Sequence, residues 1–200
     1  MLTVVSDRIQ RVWRPILQIT RRRRMERFVE WAGITPSTTV LDVGGTPQVW
    51  GLIPVVPDVT LLNLASGSTP MRQIVADATR LPFADGAFDI VFSNSVIEHV
   101  ADHDAVAREI ARVGRRYFVQ TPNRAFPFEP HVLTPFVNYL PKRWQKRLYR
   151  NFTVWGWITR PDRAYVEAFV DATNLLDADE MRRLFPGANL HVARSLIARR

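Results

Sequence analysis

The chain of 200 residues is 46% hydrophobic and 23% charged, proportions typical of a globular domain that can bury a full core. It contains no cysteine, which excludes disulfide bonds and thiolate metal sites, and no apolar run reaches the roughly 18 residues of a membrane-spanning helix. The net charge of +8 is regional, because residues 1–30 hold eight arginines against three acids and residues 142–163 hold seven Lys/Arg against one aspartate. These two segments suggest contacts with anionic surfaces.

The first half of the chain is predicted to form one helix followed by strands. Apolar residues recur every three or four positions over residues 7–32, which predicts a helix. The four arginines at 21–24 go round a whole turn of it, so most of them must face water, and both a solvated turn and an anionic contact surface remain open interpretations. Strands are then predicted within 34–43 and at 57–64, 71–78 and 88–95.

The second half continues the alternation of helices and strands after one interruption. An amphipathic helix is predicted over 102–113, with Asp102 or Asp104 as its N-cap, and a strand over 115–122. Residues 122–163 then break the rhythm with many prolines, tryptophans and basic residues. A helix at 177–185 and two short strands complete the chain, and the whole order predicts a mostly parallel α/β sheet.

The segment VLDVGGTPQVW, residues 40–50, predicts a glycine turn between a strand and a short helix. Thr46 and Pro47 have the form of a helix N-cap followed by proline at the first helical position. A strand, a glycine turn and a helix N-terminus together make a site for polar or anionic ligand groups. Asn63 and Asp77 follow at the ends of the next two strands, where dinucleotide-binding folds place ligand contacts. A tight turn without a ligand is the alternative for the glycine segment alone.

Two longer motifs resemble a known family. The segments VLDVGG and DATRLPFADGAFDIVFSNSVIEHV are similar to the class I S-adenosylmethionine-dependent methyltransferases, in the small-molecule and ubiquinone-biosynthesis branch. The likeness covers about residues 38–121, and the second motif is the more specific because it extends over 24 residues. The resemblance implies a Rossmann-like, seven-stranded, mostly parallel sheet with helices on both faces. It also implies an antiparallel C-terminal hairpin strand, with an N-terminal helix and a helical insert after strand 5.

The same resemblance implies a cofactor site, with S-adenosylmethionine as methyl donor and S-adenosylhomocysteine as product. By position, the glycine loop would lie under the methionine part, Asn63 on the ribose and Asp77 on the adenine amino group. The implied cofactor-binding residues are Asp42, Gly44, Gly45, Thr46, Asn63, Leu64, Asp77, Ala78, Ser93 and Asn94.

This sequence departs from the family pattern D-x-G-x-G-x-G at the second and third glycines, which are replaced by Thr46 and Gln48. Asn63 also replaces an acid, and an amide loses the stronger charge-assisted hydrogen bond to a ribose hydroxyl. These departures raise the alternative of weak cofactor binding. Gln48 must either turn away from the cofactor or touch it.

Two histidines are the candidates for a general base, since a pKa near neutrality suits removal of a proton from an acceptor hydroxyl. His131 ends the segment PFEPH, in an insert expected to cover the substrate pocket together with Glu129, and His99 is expected near the mouth of the site. A rigid proline-bounded loop is the alternative for PFEPH, and a structural pair behind the pocket is the alternative for Glu98 and His99. No metal is expected, because the sequence has no H-x-x-H, acid cluster or cysteine set.

The predicted function is methyl transfer to a small-molecule, lipid-linked or glycan acceptor by a cytoplasmic protein. Peripheral contact with an anionic membrane through the basic segments is a further possibility. One alternative is a nucleic-acid methyltransferase, which the sequence SNSVIEHV disfavours because it lacks an N-P-P-Y type motif. Another is a non-catalytic membrane-surface or partner-binding protein on a degenerate methyltransferase scaffold. We expect one methyltransferase domain over residues 1–200, divided into a basic helical segment 1–33, a cofactor core 38–121, an insert 122–163 and a C-terminal part 164–200.

Overall fold

A computed structural model describes the backbone of residues 7–200 and the side chains of residues 19 and 21–200. Seven strands form one sheet in the order β3-β2-β1-β4-β5-β9-β8, and two short strands pair separately. The strands are β1 Thr39–Val43, β2 Asp58–Asn63, β3 Arg72–Val75, β4 Phe88–Asn94, β5 Gly114–Pro122, β6 Phe128–Glu129, β7 Thr134–Pro135, β8 Asn189–Val192 and β9 Ser195–Arg199.

Seven α-helices connect or cover these strands in the described part of the chain. They are α1 Asp7–Ala32, α2 Pro47–Trp50, α3 His103–Val113, α4 Lys142–Phe152, α5 Val154–Thr159, α6 Arg163–Ala172 and α7 Ala178–Leu184. Asp102 caps α3, because its carboxylate accepts a hydrogen bond from the Ala105 amide at 2.8 Å. None of the described helices is long and apolar enough to cross a membrane.

The sheet topology confirms the predicted Rossmann-like fold. Strand β1 lies in parallel between β2 and β4, β4 pairs in parallel with β5, and β9 runs antiparallel to both β5 and β8. The carboxyl ends of β1, β2, β4 and β5 therefore meet at one edge. Ligands bind at that edge in open α/β sheets.

Helix α1 covers one face of the sheet with an aromatic core. Phe28 is fully buried, and its ring centroid lies 4.8 Å from that of Phe92 and 5.4 Å from that of Phe118. Trp50 joins the same cluster in an edge-to-face contact with Phe28 at 5.9 Å. This packing fixes α1 against β4 and β5, and it determines which arginines of α1 can reach the carboxyl edge of the sheet.

Helices α3 and α7 cover the opposite face, and the predicted helical insert after β5 forms a third packed cluster. Within that cluster the rings of Trp155 and Phe169 stack at 5.4 Å, which holds α5 against α6. Helix α6 and the β6–β7 pair were missing from the prediction. The apolar spacing of α6 was readable, but it follows so closely on the proline-rich insert that no separate helix was assigned there.

Candidate functional site

The predicted glycine turn lies directly after β1. Gly44 has φ +71°, a backbone conformation that favours glycine, and its amide donates to the Leu62 carbonyl at 2.7 Å. A Cβ atom on Gly44 would overlap the Val96 side chain, and one on Gly45 would overlap the Asp42 carboxylate. Both glycines are therefore required by close packing of the turn itself. Helix α2 begins at Pro47 as predicted, although the extended Thr46 makes no side-chain cap bond.

The Asp42 carboxyl group is held beneath this turn, 1% exposed. Its Oδ2 accepts a hydrogen bond from the Trp50 indole at 2.8 Å. Burial raises the pKa of Asp42 to about 7, and the Trp50 hydrogen bond only partly offsets that effect. The carboxyl group thus fixes the position of α2 relative to β1 and carries part of a proton near neutral pH.

A cavity of about 350 Å³ opens at the carboxyl ends of β1, β4 and β5. The structure brings five predicted cofactor residues to its wall, namely Asp42, Gly44, Gly45, Thr46 and Asn94, together with His131. Gln120 lines the cavity, and its Oε1 is buried without a hydrogen-bond partner in the described chain, as is the Oγ of Ser93, which does not line the cavity. Unpaired buried polar atoms of this kind are costly unless a ligand or water meets them. Gln48 is exposed and does not line the cavity, so its replacement of a glycine leaves the cavity open.

The other five predicted cofactor residues lie at or near the carboxyl ends of β2, β3 and β4 and do not line this cavity. Asn63 is 9% exposed, and its Nδ2 donates to the Gly45 carbonyl at 3.0 Å, so this amide supports the glycine turn. Asp77 Oδ1 accepts from the Thr79 amide at 2.8 Å, and that backbone bond lowers the pKa of Asp77. Leu64 is exposed, whereas Ala78 is buried.

Ser93 is the remaining predicted cofactor residue. Its side chain is fully buried, with the unpaired Oγ already described.

The two predicted histidines lie side by side, with ring centroids 5.4 Å apart. His131 Nδ1 contacts Glu129 Oε1 at 2.6 Å, and its Nε2 lies 4.0 Å from Glu98 Oε1. Glu98 is fully buried, and its other oxygen accepts from the Thr121 hydroxyl at 2.9 Å. His131 lines the cavity, whereas His99 lies beside it and outside the cavity wall.

Charge determines the protonation of this cluster. Burial lowers the pKa of His131, but the hydrogen bond to Glu129 and the charges of Glu129 and Glu98 outweigh it, so the pKa is raised. Burial raises the pKa of Glu98. Partial burial and the neighbouring His131 lower the pKa of His99. His131 is thus the more basic of the two rings, and Glu129 fixes its orientation through Nδ1.

Glu98, His99 and His131 could also meet the distance condition for a metal site, since one ligand atom of each lies within 4.8 Å of the others. No sequence motif indicated this grouping, because His131 is 32 positions away from His99 along the chain. We assign no metal to it. Only the distances support such a site, and the Glu129 carboxylate already holds His131 Nδ1.

Sequence reasoning missed the arginines of this site. Arg21, Arg24 and Arg194 line the cavity, and Arg24 Nη1 donates to Asn94 Oδ1 at 2.7 Å. A signal was available in α1, because residues 21, 24, 25 and 28 share one helix face and the last two are buried apolar residues. No comparable signal marks Arg194, which the β8–β9 turn brings to the cavity.

Comparison with known proteins gives one family match. The family described as a methyltransferase domain matches residues 47–117, from α2 into β5. A demethylmenaquinone methyltransferase of Mycolicibacterium vanbaalenii is 39% identical over 90 residues, covering 41% of this chain and 40% of the relative. The chain spans only 36–40% of the length of the first curated relatives it matches. These matches confirm the resemblance to the methyltransferases.

Solved structures support the fold alone, because sequence identity with them is low. Haemonchus contortus phosphoethanolamine N-methyltransferase 2, in complex with phosphomonomethylethanolamine and S-adenosylhomocysteine, has a TM-score of 0.56 at 12% identity. The match covers 84% of this chain and 38% of the chain of that structure. A Rhodobacter sphaeroides protein provisionally named as a Zn-dependent alcohol dehydrogenase has a TM-score of 0.57 at 13% identity, covering 83% of this chain and 84% of its own. A shared fold does not by itself determine the reaction.

Proposed function

We propose that this chain, whose residues 47–117 match the methyltransferase domain, transfers a methyl group from S-adenosylmethionine to a hydroxyl group of a small-molecule acceptor. The observation that carries the proposal is the cavity that the glycine turn and His131 line together. A cofactor cradle and a candidate base thus face the same space. In-line methyl transfer requires that arrangement, because nucleophile and methyl group must be aligned and shielded from water.

The residues present fit the cofactor. Gly44 and Gly45 line the cavity without side chains, and the unpaired Gln120 Oε1 offers a hydrogen-bonding atom in its wall. The bound cofactor supplies a methyl group activated by its sulfonium sulfur. In this proposal Asn63 uses Nδ2 to hold the Gly45 carbonyl and leaves Oδ1 to accept from a ribose hydroxyl.

The adenine end of the proposed site is formed by Asp77, with Ala78 and Leu64 beside it. Asp77 keeps one carboxylate oxygen on the Thr79 amide and offers the other to the adenine amino group.

His131 is the proposed general base. Its Nδ1 is held by the Glu129 carboxylate, so Nε2 is the atom that can take a proton. The acceptor hydroxyl would give its proton to Nε2 of His131 as its oxygen receives the methyl group that the bound cofactor would supply. Glu98 then balances the imidazolium charge from 4.0 Å. His99, beside His131, acts in positioning.

The names of relatives guide the choice of acceptor. The Mycolicibacterium vanbaalenii relative is named for demethylmenaquinone, a small molecule, and this supports a small-molecule acceptor.

Isothermal titration of the full chain with S-adenosylmethionine and S-adenosylhomocysteine tests the cofactor claim. We expect saturable binding by the wild-type chain. We expect no binding by Gly44→Val, because the valine side chain would overlap Val96 and its backbone would have to adopt an unfavourable positive φ. Absence of binding to the wild-type chain at millimolar cofactor would refute the proposed function.

A second proposal concerns the partner surface of the insert. Trp144, Phe152 and Trp157 are 43%, 65% and 62% exposed, so helices α4 and α5 expose a large apolar surface. Arg143, Arg147 and Arg150 recur at four- and three-residue spacing on the exposed side of α4, and none of them forms an ion pair within the described chain. Aromatic and basic side chains combined in this way suit the interface of an anionic membrane.

Liposome flotation tests this surface with vesicles of phosphatidylcholine containing phosphatidylserine. We expect the wild-type chain to float and the triple variant Trp144→Ser, Phe152→Ser, Trp157→Ser to remain in solution. The matched control replaces Val56 and Val192 by serine, since these residues are similarly exposed elsewhere at 48% and 47%. Equal flotation of both variants, or no flotation of the wild type, would contradict peripheral membrane contact.

A further inference from the structure

The four arginines at 21–24 have two different environments. Arg22 and Arg23 face water, and Arg22 Nε pairs with Glu26 Oε1 at 3.0 Å. Arg21 and Arg24 instead line the cavity, and Arg24 extends into it to hydrogen-bond Asn94. The helical repeat explains the division, because the burial of Phe28 and its neighbours turns one side of α1 toward the carboxyl edge of the sheet.

A third guanidinium reaches the same cavity from the other side. Arg194, in the turn between β8 and β9, lines it together with Arg21 and Arg24. None of the three forms an ion pair with a carboxylate among the residues that the structure describes. Three cations thus converge on one cavity without a direct anionic partner.

The electrostatic cost of this arrangement falls on Arg24. Burial and, to a smaller extent, the charges of Arg21 and Arg194 together lower its pKa to about 10, against the opposing effect of Glu98. A charge removed from water is costly unless it is paired. An anion in the cavity would relieve this cost, and guanidinium groups bind carboxylates and phosphates with two parallel hydrogen bonds.

We propose that Arg21, Arg24 and Arg194 form an anion subsite, which binds a carboxylate or phosphate group of a ligand in the cavity. The subsite deepens the proposed function and rests on it for the identity of the ligand. Two sources share the required chemistry: the amino-acid carboxylate of the cofactor, and an anionic group on the acceptor. Arg24 contacts the anion at depth, and Arg21 and Arg194 neutralise it at the rim.

Isothermal titration with three probes separates these sources. S-adenosylhomocysteine carries the amino-acid carboxylate, 5′-methylthioadenosine lacks it, and inorganic pyrophosphate represents a phosphorylated acceptor. The full chain is compared with Arg24→Met and with the matched control Arg23→Met, which removes an exposed arginine from the same helical turn. Arg194→Met gives a second test if Arg24→Met proves unfolded by circular dichroism, because Arg194 lies in an exposed turn outside the core.

We expect Arg24→Met to weaken binding of the anionic ligand by tenfold or more, as for loss of a charged hydrogen bond. Arg23→Met should leave the affinity unchanged. If Arg24→Met binds S-adenosylhomocysteine more weakly but 5′-methylthioadenosine with unchanged affinity, the subsite binds the cofactor carboxylate. If Arg24→Met binds S-adenosylhomocysteine with unchanged affinity but pyrophosphate more weakly, the subsite binds an anionic group of the acceptor.

The subsite would be overturned if wild type and Arg24→Met bound both anionic probes with equal affinity. It would also be overturned if Arg24→Met weakened the binding of all three probes equally. Binding of pyrophosphate without any binding of the two nucleosides would leave the subsite standing and refute the proposed function instead.

Discussion

Replacement of Asp42 by asparagine should stabilise the folded chain at neutral and alkaline pH. The carboxyl group of Asp42 is buried beneath the glycine turn, and burial raises its pKa from 3.8 to about 7. A folded-state pKa above the unfolded value means that the folded chain binds the proton more tightly. Stability is therefore greatest below the unfolded pKa and is lost as the pH rises through the folded pKa. An asparagine can still accept the Trp50 indole hydrogen bond but cannot ionise.

The magnitude follows from the pKa. Each pH unit between the unfolded and folded pKa values costs about 1.36 kcal/mol, so the wild type loses about 4 kcal/mol in total as the pH rises from about 4 to 7. Most of this loss falls between pH 5 and pH 7. Between pH 5 and pH 8, the stability of Asp42→Asn relative to wild type should therefore increase by about 3 kcal/mol.

Urea denaturation at pH 5, 6, 7 and 8, followed by tryptophan fluorescence and circular dichroism, measures this difference. Asp89→Asn is the matched control with the opposite sign, because the Thr39 amide and hydroxyl bind its carboxylate at 2.9 and 2.8 Å and lower its pKa. That variant should be less stable than wild type by about the same amount at all four pH values, because a pKa lowered from 3.8 leaves the Asp89 carboxylate ionised throughout this range. A stability difference between Asp42→Asn and wild type that does not change with pH would refute the reasoning.

Three further predictions follow from the same geometry. Gln48→Gly should retain cofactor affinity within about threefold in titration calorimetry while Gly44→Val loses it, because Gln48 is exposed outside the cavity and Gly44 has φ +71°. Glu129→Gln should shift the acid limb of the kcat/KM profile to lower pH, since loss of the carboxylate charge lowers the pKa of His131; an unmoved limb would exclude His131 as the titrating base. Phe28→Ala should cost about 3–5 kcal/mol in urea denaturation, as for other buried aromatic truncations, and a loss below 1 kcal/mol would contradict the packing of α1.

The fold was largely predictable because the sheet depends on local patterns. The apolar runs of β1, β2, β4 and β5 are each bounded by turn residues, and their order along the chain gave the parallel arrangement that the structure has. Helix α6 and the β6–β7 pair could not be identified in this way. They lie within or beside the insert, where prolines interrupt the periodicity and long-range packing, such as the Trp155–Phe169 stack, determines the structure.

The site was predictable only where it follows the chain order of the strands. The glycine turn, Asn94 and His131 reach the cavity as the motifs implied, but Asn63 hydrogen-bonds the Gly45 carbonyl and Asp77 the Thr79 amide, roles that no motif indicated. Arg24 shows the limit most clearly. Arg22 and Arg23 in the same arginine run face water, whereas the docking of α1 on the sheet turns Arg24, together with Arg21, toward the cavity. Tertiary packing thus decides which of four identical side chains can meet a ligand, and for this reason the comparison of Arg24→Met with Arg23→Met tests position rather than charge.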